Sequence, residues 1–203
     1  MLSLYHLLIS YFLGSIPFAY LLARLHGKDL TKFGDGNMGA ANAYYATGKL
    51  WVGVVSTILD AFKAFLPAYL WGPWCGAVAV LAHIFSIFGF ILAGRIVSGA
   101  GTAPAIGFAL AVCPLLVPIA AAIFSIYYLI LRPGGRLTDF FSSERGYTAG
   151  MVMLWATYAV SYRLGLISGT VADAVLFLVS AVSLVYAYRL RHVYKKWGIL
   201  KKN

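Results

Sequence analysis

Charge is what this chain has least of. Only 11% of its 203 residues are Asp, Glu, Lys or Arg, against about a quarter in soluble domains, which excludes a soluble protein of ordinary surface. Acidic residues are the scarcer kind, 6 against 16 Lys and Arg. The two cysteines, Cys75 and Cys113, supply neither a disulfide framework nor a metal site. The four histidines have no metal-ligand spacing, so neither metal nor cofactor is expected. No internal repeat is present and few charges fall within apolar stretches, which argues against a transporter. The first apolar segment lacks a basic leading region and a small-residue cleavage site, so it reads as a retained span rather than a signal peptide.

What fills the chain instead is apolar: 62% of residues are hydrophobic and the mean hydropathy is +0.84. An all-α integral membrane protein is the expectation, one domain over residues 1–203, with no soluble domain between the spans. Apolar runs and turn signals predict seven transmembrane helices, at about 2–25, 51–70, 75–92, 103–113, 115–131, 148–164 and 170–190. The fourth is too short to span alone, since about 20 residues are needed, and Pro114 ends it. A six-span arrangement fusing the fourth and fifth helices is the rival. Polar loops lie at 26–50, 93–102 and 132–147, and a basic tail follows residue 190.

The distribution of positive charge favours seven spans. With the tail inside, every one of the 16 Lys and Arg faces the cytoplasm except Arg163 and Lys63, the latter within the second helix. That asymmetry follows the positive-inside rule. It also accounts for the net charge of +10 without a nucleic-acid partner, because anionic phosphates concentrate at the cytoplasmic membrane face. The Gly-rich loops therefore gather on the cytoplasmic side, with the N-terminus outside.

One of these loops reads Gly34-Asp35-Gly36-Asn37-Met38-Gly39-Ala40-Ala41-Asn42. Its three glycines spell G-x-G-x-x-G, but the residues before it end an apolar span rather than a β-strand, so the dinucleotide reading fails. Glycine backbone can approach a phosphate closely, and Asn37 and Asn42 carry amides able to donate to an anion. Without a ligand the segment is simply a flexible membrane loop. Asp60 and Lys63, at i, i+3 on the second helix, share a face. Charges inside a span mark a functional interior or pair with each other, and both roles stay open here. His83 lies alone inside the third helix and is either a satisfied core residue or a functional one. None of the histidines opens an H-x-x-x-x-D pattern, so a His–Asp relay at that spacing is not supported.

Leu13-Gly14-Ser15-Ile16-Pro17-Phe18, the Gly34–Asn42 segment, Gly48-Lys49 and Leu59-Asp60-Ala61-Phe62-Lys63 together resemble the PlsY family of membrane glycerol-3-phosphate acyltransferases. Order and spacing match over residues 11–70, partly over 83–107, and again at Tyr188-Arg189-Leu190-Arg191. The resemblance implies acyl transfer from acyl phosphate to glycerol 3-phosphate at the membrane, giving lysophosphatidic acid without a cofactor. It implies substrate contacts from Gly34, Gly36, Asn37, Gly39 and Asn42, from Gly99 and Gly101 of the second Gly-rich loop and from Arg189, places Asp60 and Lys63 near the glycerol phosphate, and makes His83 catalytic. Ser142, Ser143 and Arg145 are further phosphate-binding candidates. Departures are Asp35 for a family Ser, Ala41 for Thr, Tyr45 for Arg, Ala64 and Ala82 for Gly, Ser98 for Gly, Ala100 for Lys, and Leu190 for His. A carboxylate beside phosphate repels it unless a cation pairs with it; Arg95, Arg132, Arg136 and Arg145 share the predicted face. Asp35 is alternatively a general base on the acceptor hydroxyl, or a loop carboxylate capping a short helix. The competing readings are a paralogue that binds or acylates another phosphorylated acceptor, and a small transporter.

Overall fold

Proline at position 17 removes a backbone donor and cannot continue the preceding helix, so the first apolar span is built in two pieces. In the computed structural model, which describes residues 3–34, 36–94, 98–131 and 144–196, α1 runs Leu4–Ser15 and α2 runs Phe18–Leu25. The second span is the 22-residue helix α4, Leu50–Trp71. It ends at Gly72, where φ is 97°, and Pro73 opens α5, Pro73–Ile84, as its first residue, a position where a missing N–H costs nothing. The third span is also broken: Ser86 caps a separate helix α6, Ile87–Ala93, its hydroxyl accepting from the Gly89 N–H at 2.8 Å. Leu4–Leu25, Leu50–Trp71 and Pro73–Ala93 are long and apolar enough to cross a membrane, and Thr102–Val112 and Gly169–Leu184 are shorter apolar helices.

The breaks differ from the continuous helices expected over 2–25 and 75–92. A broken helix inside a bilayer exposes carbonyls that water cannot reach, so neighbouring groups must satisfy them. They do so here. The Lys63 ammonium donates to the Ile16 carbonyl at 2.7 Å, the Tyr11 hydroxyl to the Phe85 carbonyl at 3.1 Å, and the Ser86 hydroxyl to the Ser15 carbonyl. Each break is thus held by a side chain from another span.

Two compact units divide the chain, residues 1–114 and 115–203. In the first, α1 packs on α5, and α4 packs on α5 and on α7, Thr102–Val112. Small residues let these backbones touch. A Cβ on Gly14 would collide with the Ala79 backbone, and one on Gly107 with the Ala61 carbonyl, the close approach that glycine permits between membrane helices. The polar segment 26–50 is not a featureless loop. It holds a 3₁₀ turn, Leu30–Lys32, and a helix α3, Ala40–Thr47, which starts at Gly39 and stops at Gly48 with φ 68°. Leu30, Met38, Ala43 and Ala46 are buried against Ala19, Tyr20, Ala23 and Val52.

The second unit contains α8, Leu116–Leu131, α9, Glu144–Arg163, and α10, Gly169–Lys196. Helix α9 packs on both α8 and α10. Ala172, Val175, Val179 and Val182 form the buried stripe of α10, at the three-to-four spacing of one helix face. The Trp155 indole N–H donates to the Ser183 hydroxyl at 3.1 Å across the α9–α10 contact.

Candidate active site

Three devices turn the Gly34–Asn42 segment into a fixed structure. Gly34 and Gly36 take φ of 58° and 74°, a region that other residues enter only at a cost. The Asn37 carboxamide oxygen accepts the Gly39 N–H at 2.9 Å, a local turn that Asn makes readily. Asn42, in the first turn of α3, sends its amide nitrogen back to three backbone carbonyls: Leu30 at 3.2 Å, Phe33 at 3.1 Å and Asn37 at 2.7 Å. An amide has two hydrogens, so the donors of Asn42 are consumed by the loop itself. The sequence pattern marked Asn42 as a donor to an anion; the geometry turns that donor inward, where it shapes the loop.

The two Gly-rich loops are joined. The Met38 N–H donates to the Ser98 carbonyl at 2.9 Å, and the Ser98 N–H to the Ile84 carbonyl at the end of α5 at 2.8 Å. The Met38 side chain, 1% exposed, plugs the space beneath, a burial worth about 1.5–3 kcal/mol. Gly99 follows Ser98, and Gly101 caps the N-terminus of α7. The join brings Gly36, Asn37, Gly39, Ser98, Gly99 and Gly101 into one region whose polar character is mostly backbone. Such a surface lets a ligand come close to the backbone without bulky side chains, while the N–H groups of Gly36, Met38, Gly39 and Ser98 donate within the protein. Met38 and Ser98 are the residues that sequence reasoning missed. A Met between glycines carries no chemical signal, and its burial partners lie far off in sequence.

Asp60, Lys63 and His83 come together as well, deeper in the unit. Lys63 Nζ is 2.8 Å from Asp60 Oδ1, and His83 Nδ1 is 3.7 Å from the same oxygen. Lys63 also lies 5.7 Å from the centre of the Phe18 ring. Side-chain exposures are 1%, 2% and 6% for Lys63, Asp60 and His83. The opposite edge of the imidazole, at Nε2, is turned to Gly99, where a Cβ would overlap the ring. Lys63 and Asp60 therefore form a buried pair that also holds the helix break at Ile16, and His83 reaches from that pair to the second Gly-rich loop. Asp35, Arg95, Ser142 and Ser143, and the side chains of Arg145 and Arg189, lie outside the described residues.

Beside the first loop, α3 and α4 leave a shallow groove of about 370 Å³, lined by Ala40, Ala41, Tyr44, Leu50, Gly53, Val54, Thr57 and Ile58. Gly53 makes it possible for α3 to lie this close, since a Cβ there would sit 2.9 Å from Tyr44 Cβ. The groove is almost wholly apolar and begins where the Gly-rich loop ends.

Fold and site define an all-α, multi-pass membrane protein whose joined Gly-rich loops lie next to an apolar groove. The comparisons with known proteins narrow this class. A sequence profile described as glycerol-3-phosphate acyltransferase matches residues 4–197. Curated relatives named glycerol-3-phosphate acyltransferase include those of Trichlorobacter lovleyi, 36% identical over 61% of this chain and 65% of that protein, and Endomicrobium trichonymphae, 34% identical over 65% and 68%. A third, from Sinorhizobium fredii, is 37% identical over 77% and 74%. The first of these alignments thus spans just under two thirds of the relative's own length. The crystal structure of PlsY (YgiH), an integral membrane glycerol 3-phosphate acyltransferase, in its glycerol 3-phosphate form, superposes with a TM-score of 0.68 at 26% identity, over 96% of this chain and 90% of that one. Its lysophosphatidic acid form superposes with a TM-score of 0.66 at 25% identity. The chain belongs to the glycerol-3-phosphate acyltransferase family.

Proposed function

We propose that this protein transfers an acyl chain from acyl phosphate to a hydroxyl of glycerol 3-phosphate, releasing inorganic phosphate and forming lysophosphatidic acid for phospholipid synthesis. The observation that carries the reading is the Met38–Ser98 hydrogen bond, which joins two Gly-rich loops beside an apolar groove in a chain of this family. Family membership supports the reaction, and the solved relative's glycerol 3-phosphate and lysophosphatidic acid forms support the acceptor and product. The joined loops suit the phosphates, with Gly34, Gly36, Asn37, Gly39, Gly99 and Gly101 supplying close backbone approach; Arg189 is a candidate source of charge on the family resemblance alone. The α3–α4 groove suits the acyl chain, because its walls are apolar and open to the bilayer side of α4, where Val54 and Ile58 are exposed. Acyl phosphate is already activated, so the chemistry asks mainly for positioning and for stabilisation of the developing oxyanion. The protein sits in the cell membrane as seven spans in one domain, N-terminus outside and C-terminus cytoplasmic, so that the loops meet soluble glycerol 3-phosphate.

A second reading keeps the fold and changes the acceptor. It is favoured by Asp35, Tyr45, Ala100 and Leu190, which stand where the family pattern has Ser, Arg, Lys and His. One assay decides. Purified protein in detergent is given acyl phosphate and labelled glycerol 3-phosphate. Labelled lysophosphatidic acid is the expected product. Turnover of acyl phosphate only with other acceptors establishes the second reading, and no turnover with any acceptor refutes both. Asp35→Asn refines the result: a general base lost this way cuts turnover by about 10²-fold or more, whereas Asp35→Ser leaves it intact if the carboxylate only pairs with an arginine.

A further inference from the structure

A charged pair inside a span is costly unless it is used, and the Asp60–Lys63 pair reaches toward two different elements. Through Lys63 it holds the carbonyl of Ile16 at the break between α1 and α2, 2.7 Å away. Through Asp60 it faces His83 Nδ1 at 3.7 Å. The far edge of the same imidazole lies against Gly99 so closely that no side chain fits there. Gly99 follows Ser98, whose N–H is held by the Ile84 carbonyl and whose carbonyl holds the Met38 N–H. A continuous path of contacts therefore runs from the helix break, through Lys63, Asp60 and His83, to the junction of the two Gly-rich loops.

We propose that His83 is a positioning residue: set against the Asp60–Lys63 pair on its Nδ1 side, it braces the 98–101 loop with its Nε2 edge and so fixes the loop junction that Met38 and Ser98 close. The ring is 6% exposed and stands between a carboxylate and a glycine backbone, which leaves no open approach for a substrate atom to the Nδ1 side. The carboxylate lies 3.7 Å from Nδ1 and the Nε2 edge faces the loop. Lys63 neutralises the carboxylate and ties its position to the break at Ile16. Asp60 and Lys63 thus act through His83 rather than on a phosphate. The brace stands independently of the reaction; only its effect on kinetics rests on the acyltransferase reading.

The test measures the loop directly. Ala100→Cys is introduced into the full chain with Cys75→Ala and Cys113→Ala, and the rate of thiol labelling by a charged maleimide is followed in detergent without substrate. Asparagine places its amide at the Nδ1 position and falls short of Gly99, whereas glutamine extends to the Nε2 position. His83→Asn should therefore speed labelling about tenfold or more by freeing the loop, and His83→Gln should stay within about threefold of the parent, as expected when local opening controls access. Parental labelling in His83→Asn overturns the brace, as does equal acceleration by the two variants. Where a single variant fails to fold, the charge-neutral Asp60→Asn/Lys63→Met pair serves: it removes the anchor without stranding a charge, and faster labelling is expected. Kinetics give a second readout. In His83→Asn the KM for glycerol 3-phosphate should rise while kcat stays within about tenfold, the pattern of lost binding geometry. Loss of kcat with unchanged KM and unchanged labelling makes His83 a catalytic residue and overturns the proposal. If no variant or parent turns over, the labelling result still decides the brace, and the function alone has failed.

Discussion

Replacing Asn42 by alanine removes a single amide and unties three carbonyls. The amide nitrogen serves Leu30, Phe33 and Asn37 at 3.2, 3.1 and 2.7 Å with two hydrogens, so about two bonds' worth of stabilisation is at stake. A neutral hydrogen bond contributes about 0.5–1.5 kcal/mol net, giving about 1–3 kcal/mol. The Phe33 contact is exposed and water replaces it, which brings the estimate to about 1–2 kcal/mol, or roughly a 5- to 30-fold change in the loop's closing equilibrium. Hydrogen exchange of the peptide covering residues 30–42, measured without substrate, should quicken by that factor in Asn42→Ala. The KM for glycerol 3-phosphate should rise by at most that factor, reached where the open loop dominates, since the competent loop is less populated. Asn42→Asp should be at least as damaging, because a carboxylate cannot donate and confronts three carbonyl oxygens. Unchanged exchange in the ligand-free protein, together with a raised KM, would mean that Asn42 acts by touching the substrate and not by shaping the loop.

Gly107→Ala pushes a methyl group into the Ala61 carbonyl across the α4–α7 contact; overpacking of this kind costs about 1–3 kcal/mol, so the melting temperature in detergent should fall, and Gly107→Ser should fare no better. Asp29 is held below its ordinary value of 3.8, first by the Thr31 hydroxyl and then by the Thr31 N–H, Arg24 and Lys32. A lowered folded-state value means that its stabilising effect is complete above the unfolded value and is lost as pH falls through the folded one. The difference between parent and Asp29→Asn in exchange at residues 29–33 should thus stay constant from neutral pH down to about pH 5 and shrink only below pH 4. Single cysteines at Lys32 and Arg163 should label from opposite sides of sealed vesicles; labelling from the same side removes the seven-span orientation.

Much of the helical layout can be read from hydropathy and turn residues. The second helix, expected over 51–70, is Leu50–Trp71, and the short helix expected over 103–113 is Thr102–Val112. Both are bounded by strong punctuation, Gly72-Pro73 in one case and Gly101 and Pro114 in the other. The breaks at Ile16-Pro17 and Phe85-Ser86 escaped because the apolar run continues across them. Hydropathy registers burial in lipid but says nothing of whether the backbone ladder is intact, and the side chains that repair the breaks, Lys63, Tyr11 and Ser86, come from distant spans. Helix α3 was hidden by its polar and glycine-rich flanks. The site was legible as a motif and not as a geometry. Residue type identifies Asn42 as a donor, yet only the folded loop shows that its hydrogens are spent on Leu30, Phe33 and Asn37. The i, i+3 spacing put Asp60 and Lys63 on one face and left a mutual pair and a substrate role both open; the pair forms at 2.8 Å, and the reach of Lys63 to Ile16 and of His83 to Gly99 depends on how α1, α4 and α5 pack.

In the proposed function the junction of the two Gly-rich loops receives glycerol 3-phosphate. Hydrogen exchange of the whole chain, with and without saturating glycerol 3-phosphate, tests it most directly. Slowed exchange in the peptides covering residues 34–42 and 98–101 is the predicted result. Protection confined to other segments, or none in these two while acyl transfer proceeds, would contradict it.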